Sequence, residues 1–447
     1  MSRVVALIDG EHYPPVVCAA LDELAGIHEV VAAVLLGGSE KVLTSEDGYG
    51  VPVVRGASAL DALHTAIMRY GPEVIVDLSD EPVVTSDDRF RLAGVALEHG
   101  VSYLGADFQF DPPLIECETR TPTLAVVGTG KRVGKTAVSA HVARTLAARG
   151  LRPLVLAMGR GGPSEPELLR GDEVALTTTD LLAFARRGVH AASDCYEDAI
   201  MARVPTVGCR RCGGGMAGSV FSSNVAEGAR LADSLEAGLI ILEGSGAAVP
   251  PVLADATMLV VGASQGLRAL TAYFGPLRLA SADAVVIAGA EPALVTSADI
   301  EALLAHVRVA RPDARASAVT FRPRPLEPVA GRRAFLATTA PEALLPVLRE
   351  HLEREYGCEV VAASACLSDR SRLRADLAAA ADSFDVLLTE LKAAAIDVVA
   401  EAGEFAGVPT VLLDNVPRVV AGDDLDETAA ILGDLAIIRG EERDDAR

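Results

Sequence analysis

The chain has 447 residues, too many for one hydrophobic core, so its length implies several domains. Half of the residues are hydrophobic, Trp is absent and aromatics make up 4%, which points to a core of Ala, Val and Leu in sheets covered by closely packed helices. A net charge of −22 argues against nucleic acid or an anionic membrane as a partner, and an anionic substrate then needs a local cationic pocket.

Residues 1–120 read as a Rossmann-like N-terminal α/β domain. "VVALIDG", "VVAAVLLGG", "VPVVRG", "EVIVDLSD" and "VSYLGADF" are short β-branched runs, and Ala/Leu-rich helical stretches separate most of them. No signal peptide is expected before the first strand, and no apolar run reaches the length of a membrane span without Gly, Pro or charge. Seven scattered Cys suit reduced thiols in the cytoplasm. Asp9, Glu11 and His12, at the first strand end, either bind substrate or face an interface. "FDPPLIECETRTPT" reads as a linker.

Residues 121–326 read as a central P-loop NTPase domain with a parallel sheet. In "GTGKRVGKT" (128–136) the apolar strand runs through a glycine turn into a helix. The pattern is Gly, five residues, then Gly-Lys-Thr; the place of the usual first glycine is taken by Thr129. Backbone N–H groups from Gly128, Thr129, Gly130, Lys131, Arg132, Val133 and Gly134 are expected to cradle a polyphosphate. Lys135 then bridges the β- and γ-phosphates of a nucleotide, and the Thr136 hydroxyl binds Mg²⁺. Only four of the 40 basic residues are Lys, and two of them, Lys131 and Lys135, lie in this turn. A retained Lys flags a site that needs a compact ammonium. Lys131 either follows the nucleotide or points to solvent. "GLIILEGSGAAVPP" ends a strand on Glu243, a second candidate for the metal.

Strand ends in open parallel sheets gather ligands, so Asp77, Asp80, Asp107, Arg160, Glu291 and Asp414 join this inventory, fewer than half of them expected to touch a ligand. "AMGRGGP" places Arg160 among glycines, suited to an anion. The stretch "HAASDCYEDAIMARVPTVGCRRCGGGMAG" reads as a substrate loop, with His190, Arg210 and Arg211 at phosphates and Gly213 to Gly215 allowing close approach. Asp194 and Asp198, one helical turn apart, either hold Mg²⁺ or act as a base, or lie on a solvated helix face. The Cys209 and Cys212 pair lacks a second pair for zinc.

"FRPRPLEPVAGRR" reads as a proline-broken connection into a smaller C-terminal α/β domain, residues 327–447. There "FDVLLTELKAAAIDVV" brings Lys392, another of the four lysines, to a strand end as a substrate contact. The end, "GEERDDAR", reads as a frayed charged tail.

"VVGTGKRVGKTAVS", "AMGRGGP", "TVGCRRCGGGMAG", "ILEGSGAAVPPV" and "LLTELKAAAIDV", in this order, resemble the cyclic 2,3-diphosphoglycerate synthetase family through most of the chain. The central domain is also similar to dethiobiotin synthetase, which shares the spacing of the phosphate loop. The resemblance implies an ATP- and Mg²⁺-dependent ligase that closes an intramolecular phosphoanhydride in 2,3-diphosphoglycerate and releases ADP and phosphate. On that reading Lys135, Asp194, Glu243, Arg210 and Arg211 are catalytic and Thr136, Glu243 and Asp194 hold the metal. Arg160, His190, Arg210, Arg211 and Lys392 then bind substrate, and a homodimer is expected. The alternatives are a GTP-binding switch or metallochaperone-like P-loop protein, and an ATP-dependent enzyme for another phosphorylated or carboxylated metabolite. The guanine-specific motif that a switch requires is missing from "VVGASQG" and "VVIAGAEP".

Overall fold

The computed structural model of the chain describes residues 1–38, 40–41 and 46–446. It contains two compact units. The first comprises residues 1–114, 216–219 and 268–281, and the second residues 115–215, 220–267 and 282–447.

In the first unit the β-branched runs form strands β1 (Arg3–Ile8), β2 (Glu29–Leu35), β3 (Val53–Val54), β4 (Val74–Asp77), β5 (Ser102–Leu104) and β6 (Gln109–Phe110). Helices α1 (Pro14–Ala25), α2 (Ala59–Tyr70) and α3 (Ser86–Glu98) lie between them in sequence. The order is β3-β2-β1-β4-β5-β6, parallel except for β6. Where the order reverses, between β1 and β4, the carboxyl edge opens into a cavity of about 400 Å³ lined by Asp9, His12, Asp77, Arg89 and Phe108 among others. The Asp9 carboxylate braces its own loop, accepting N–H groups from Glu11 at 2.9 Å and His12 at 3.1 Å, and ties it to the loop after β4 through the Asp80 N–H at 2.8 Å.

The second unit is built on one 13-stranded sheet among the described residues. Its strands are β7 (Thr123–Gly128), β8 (Pro153–Gly159), β9 (Glu167–Arg170), β10 (Pro205–Gly214), β11 (Val220–Ser223), β12 (Leu239–Glu243), β13 (Ala256–Gly262), β14 (Ala284–Ala288), β15 (Arg315–Pro325), β16 (Arg333–Ala337), β17 (Glu359–Ser364), β18 (Val386–Glu390) and β19 (Thr410–Gly422). The order is β11-β10-β8-β12-β7-β13-β14-β15-β19-β18-β16-β17, with β9 beside β10. From β10 to β15 along this path the neighbours are parallel. The central strands "TLAVVG", "PLVLAMG" and "LIILE" are buried at every position, the continuous apolar runs that a sheet covered on both faces requires. With few aromatic residues the helices pack closely: a Cβ on Gly433 of the last helix, Leu425–Asp445, would lie 2.7 Å from Leu146.

Among the described residues the strands of segment 327–447 continue the phosphate-loop sheet, because β19 runs antiparallel to β15 on one side and parallel to β18 on the other. Two expectations are corrected. "FRPRP" is not a connection but the second half of β15. Beyond Val319 that strand pairs with β19 alone, so the missing N–H groups of Pro323 and Pro325 need cost no ladder bond on the open side. The charged end does not fray at "GEERDD". It stays helical to Asp445, held by Arg443, which pairs with Asp255 at 2.6 Å and donates to the Thr119 carbonyl at 2.6 Å.

Candidate active site

Strand β7 delivers the chain to the phosphate loop, and helix α4 (Lys135–Ala148) starts directly after it, with Gly134 as its N-cap. The loop turns through left-handed backbone at Arg132 (φ 61°) and Gly134 (φ 89°). Glycine is required at Gly134, where a Cβ would fall 2.5 Å from the Phe321 ring. At Gly128 a Cβ would fall 2.7 Å from Lys135 Cδ, so the lysine stem lies across this glycine. The departure from the strict pattern has a local explanation. Thr129 donates its hydroxyl to Gln265 Oε1, which also accepts the Gly262 N–H at 3.1 Å, and the Thr129 N–H reaches the Val260 carbonyl at 3.0 Å. Gln265 thus ties the loop to the end of β13. Sequence reasoning missed this residue, whose only signal is its place at a strand end.

The Lys135 ammonium donates to the Gly130 carbonyl at 2.8 Å. Burial pushes its pKa down to about 8 against the pull of Glu243 and Asp194. Glu243, at the end of β12, is 2% exposed and lies in hydrogen-bonding contact with Thr136 and Asp198. Asp198 is fully buried, and among the described residues neither of its oxygens receives an N–H or O–H. Two carboxylates in such contact need a proton or a cation between them. Burial raises both, and the Glu243 charge pushes Asp198 further up.

Asp198 belongs to helix α6 (Asp194–Ala202), which follows helix α5 (Thr178–Arg186). The reading of its acidic residues as a solvated face fails here: Glu197 and Asp198 are buried, because α6 packs on α4 and β8. Asp194 is half-buried, with Oδ2 3.6 Å from the position that a Cβ on Gly159 would take. Glu197, unmarked in the sequence, accepts from Lys392 Nζ at 3.2 Å. Lys392 lies on the turn after β18, so Lys131, Lys135 and Lys392, three of the four lysines, share one electrostatic neighbourhood with Asp194.

Above the loop the charges are positive. Arg160 and Arg132 lower the pKa of exposed Lys131, and Arg160, after burial, lowers that of Arg211. Like charges held together favour an incoming anion. The Arg211 guanidinium donates to the Ser245 carbonyl at 2.7 Å. Arg210 is exposed, and as the next residue of a strand it projects from the other face. The expected loop at "TVGCRRCGG" is strand β10 itself, paired with β8, β9 and β11. Gly213 serves that pairing: its φ is 72°, and a Cβ there would lie 2.6 Å from Phe221 Cβ. Cys209 is buried and Cys212 exposed; three residues apart on a strand, they face opposite sides. His190 is exposed, and its ring covers Gly161 in the loop beside Arg160. Of the other strand-end carboxylates, Glu291 pairs with Arg322 at 2.6 Å, and Asp414 pairs with Arg324 at 2.8 Å and Arg144 at 3.3 Å.

No described helix is long and apolar enough to cross a membrane. Three family models match the chain. Residues 3–111 match the N-terminal domain of cyclic 2,3-diphosphoglycerate synthetase, residues 123–320 its P-loop domain and residues 325–416 its C-terminal domain. Among curated relatives named cyclic 2,3-diphosphoglycerate synthetase, that of Rubrobacter xylanophilus is 48% identical over 93% of this chain and 94% of its own. That of Thermococcus gammatolerans is 48% identical over 99% of both chains. The relative from Methanothermus fervidus is 42% identical over 94% of this chain and 93% of its own.

Proposed function

The chain belongs to the cyclic 2,3-diphosphoglycerate synthetase family, and from that premise we propose that its phosphate loop, buried carboxylates and cationic rim form one ATP-driven ring-closing centre. The observation that carries this reading is a buried Lys135–Glu243–Asp198 group within the electrostatic reach of a cation cluster that includes Lys131, Arg132, Arg160 and Arg211.

An acceptor phosphate oxygen of 2,3-diphosphoglycerate attacks the γ-phosphorus of ATP. The bond from that phosphorus to the β-bridging oxygen breaks, and its electron pair leaves with ADP. The neighbouring phosphate then attacks the activated phosphorus, closes the P–O–P ring and expels inorganic phosphate. Such steps depend on positioning and charge neutralisation more than on covalent help from the protein. Lys135 meets the β- and γ-phosphates. Lys131, Arg160, Arg211 and Lys392 offset the repulsion of two acceptor phosphates that must approach one another.

Mg²⁺ fits the donor set. Asp198 has two buried oxygens without donors, and Glu243 and the Thr136 hydroxyl stand beside it. Among the described residues no three His, Cys, Asp or Glu side chains form a complete cage, as suits a cation that keeps water and phosphate oxygens as ligands. When bound, it neutralises charge on the transferring phosphoryl group.

The test is ³¹P NMR of the protein with Mg·ATP and 2,3-diphosphoglycerate, beside Lys135→Ala. Cyclic anhydride resonances that vanish in the variant support the reading. ADP without a cyclic product moves the reaction to another acceptor.

A further inference from the structure

Helix α6 brings Asp194, Glu197 and Asp198 to the site at spacings of three and four residues, one face of a helix. The chemistry above uses Asp198 and leaves Glu197 without a role. Its side chain is only 9% exposed, and among the described residues its one ion pair comes from a distant part of the chain: Lys392 Nζ at 3.2 Å. Lys392 sits on a tightly specified turn. Its N–H donates to the Glu390 carbonyl at 2.9 Å, its own carbonyl accepts from Ala395 at 2.9 Å, and Ala393 between them has φ 48°. The turn runs directly into a π-helix, Ala395–Ala400, a rare element that recurs at functional sites.

The backbone is fixed, but the ammonium rides on a flexible four-carbon stem. Asp194 and Glu390 attract it as Glu197 does, and Lys135 repels it. Glu390 is itself occupied, accepting from the Thr338 and Thr339 hydroxyls. Glu197 is the neighbour in direct contact. An ammonium has three donors, so this pairing leaves donors for an incoming anion.

We propose that Glu197 is a positioning residue: by accepting one ammonium hydrogen it holds Lys392 where the acceptor phosphates enter, so that the C-terminal segment of the chain supplies a cation to the reaction. This rests on the synthetase reading above and adds a residue to it. Glu390 and Asp194 face the ammonium with negative charge as well. The hydrogen-bond acceptor, more than the negative charge, is what the position requires.

The experiment compares Glu197→Leu, Glu197→Gln, Lys392→Met and the Leu/Met double variant in steady-state turnover with ATP and 2,3-diphosphoglycerate. Glu197→Leu is expected to raise KM for 2,3-diphosphoglycerate about tenfold or more while KM for ATP stays within about threefold. Glu197→Gln, which keeps an acceptor oxygen, restores most of the loss, and the double variant is no worse than Lys392→Met. The proposal is overturned if both KM values rise together, if Gln is as poor as Leu, if the two losses multiply, or if Lys392→Met leaves KM for 2,3-diphosphoglycerate unchanged. Should Glu197→Leu fail to fold, Glu197→Asp, one methylene shorter, takes its place in the cycle. Calorimetric binding of 2,3-diphosphoglycerate to the same variants decides the matter even if the wild type makes no cyclic product, an outcome that would sink the synthetase reading instead.

Discussion

The carboxylates of Asp198 and Glu243 face each other in full burial, one from helix α6 and one from strand β12, with no donor among the described residues reaching either Asp198 oxygen. A buried group without a partner costs about 1–3 kcal/mol. An asparagine there can donate to Glu243 without any shared proton. Asp198→Asn is therefore expected to melt at or above the wild-type temperature, while Mg·ATP turnover falls about a hundredfold, the scale of one lost preorganised contact. Parallel melts and rate measurements check this; full activity in the variant would remove Asp198 from the metal site.

The same cluster sets a pH dependence. Burial pushes Glu197 up to about 8 from 4.5, and Asp198 and Glu243 are raised as well. The folded protein keeps protons that the unfolded chain releases, so this stability is full below about pH 4.5 and is lost as pH rises through about 8. Lys135 has the opposite sign: pushed down to about 8 from 10.5, its charged form is penalised, and stability returns above pH 8. Without nucleotide the melting temperature should fall from pH 5 to 8, and Glu197→Gln should flatten the fall. A melting temperature that rises across that window contradicts the assignment.

Gly134 carries a steric prediction. An alanine there combines φ 89° with a methyl group 2.5 Å from the Phe321 ring. The backbone alone costs about 1–3 kcal/mol, and the clash adds to it. Gly134→Ala should lower the denaturation midpoint and abolish ATP binding. Unchanged stability would mean that the loop relaxes into another conformation.

The phosphate loop was legible because its parts are contiguous: strand, glycine turn, Lys135, Thr136 and helix lie within one short segment. The alternating strands and helices likewise gave the α/β architecture. The rest depended on contacts far apart in sequence. No local pattern could reveal that α6 turns Glu197 and Asp198 inward, or that residue 392 reaches residue 197. Composition also misled. Glycine and arginine at 208–214 suggested a loop, yet Gly208 is small because Cys195 packs over it, with a Cβ there only 3.0 Å from Sγ. Prolines 323 and 325 suggested a break, yet half of β15 has a single partner, and there proline is tolerated.

That pairing of β15 with β19 also decides how the protein can be taken apart. Three family segments meet in the sequence near residues 120 and 325, which invites expression of the middle one by itself. Such a fragment would end on β15 with its β19 side stripped bare, an exposed strand edge of the kind that recruits other chains. It would also lose the helix that covers Leu146. The nucleotide module is therefore not a transplantable cassette: the C-terminal segment is its selvage, the woven border that keeps the sheet from unravelling into aggregates.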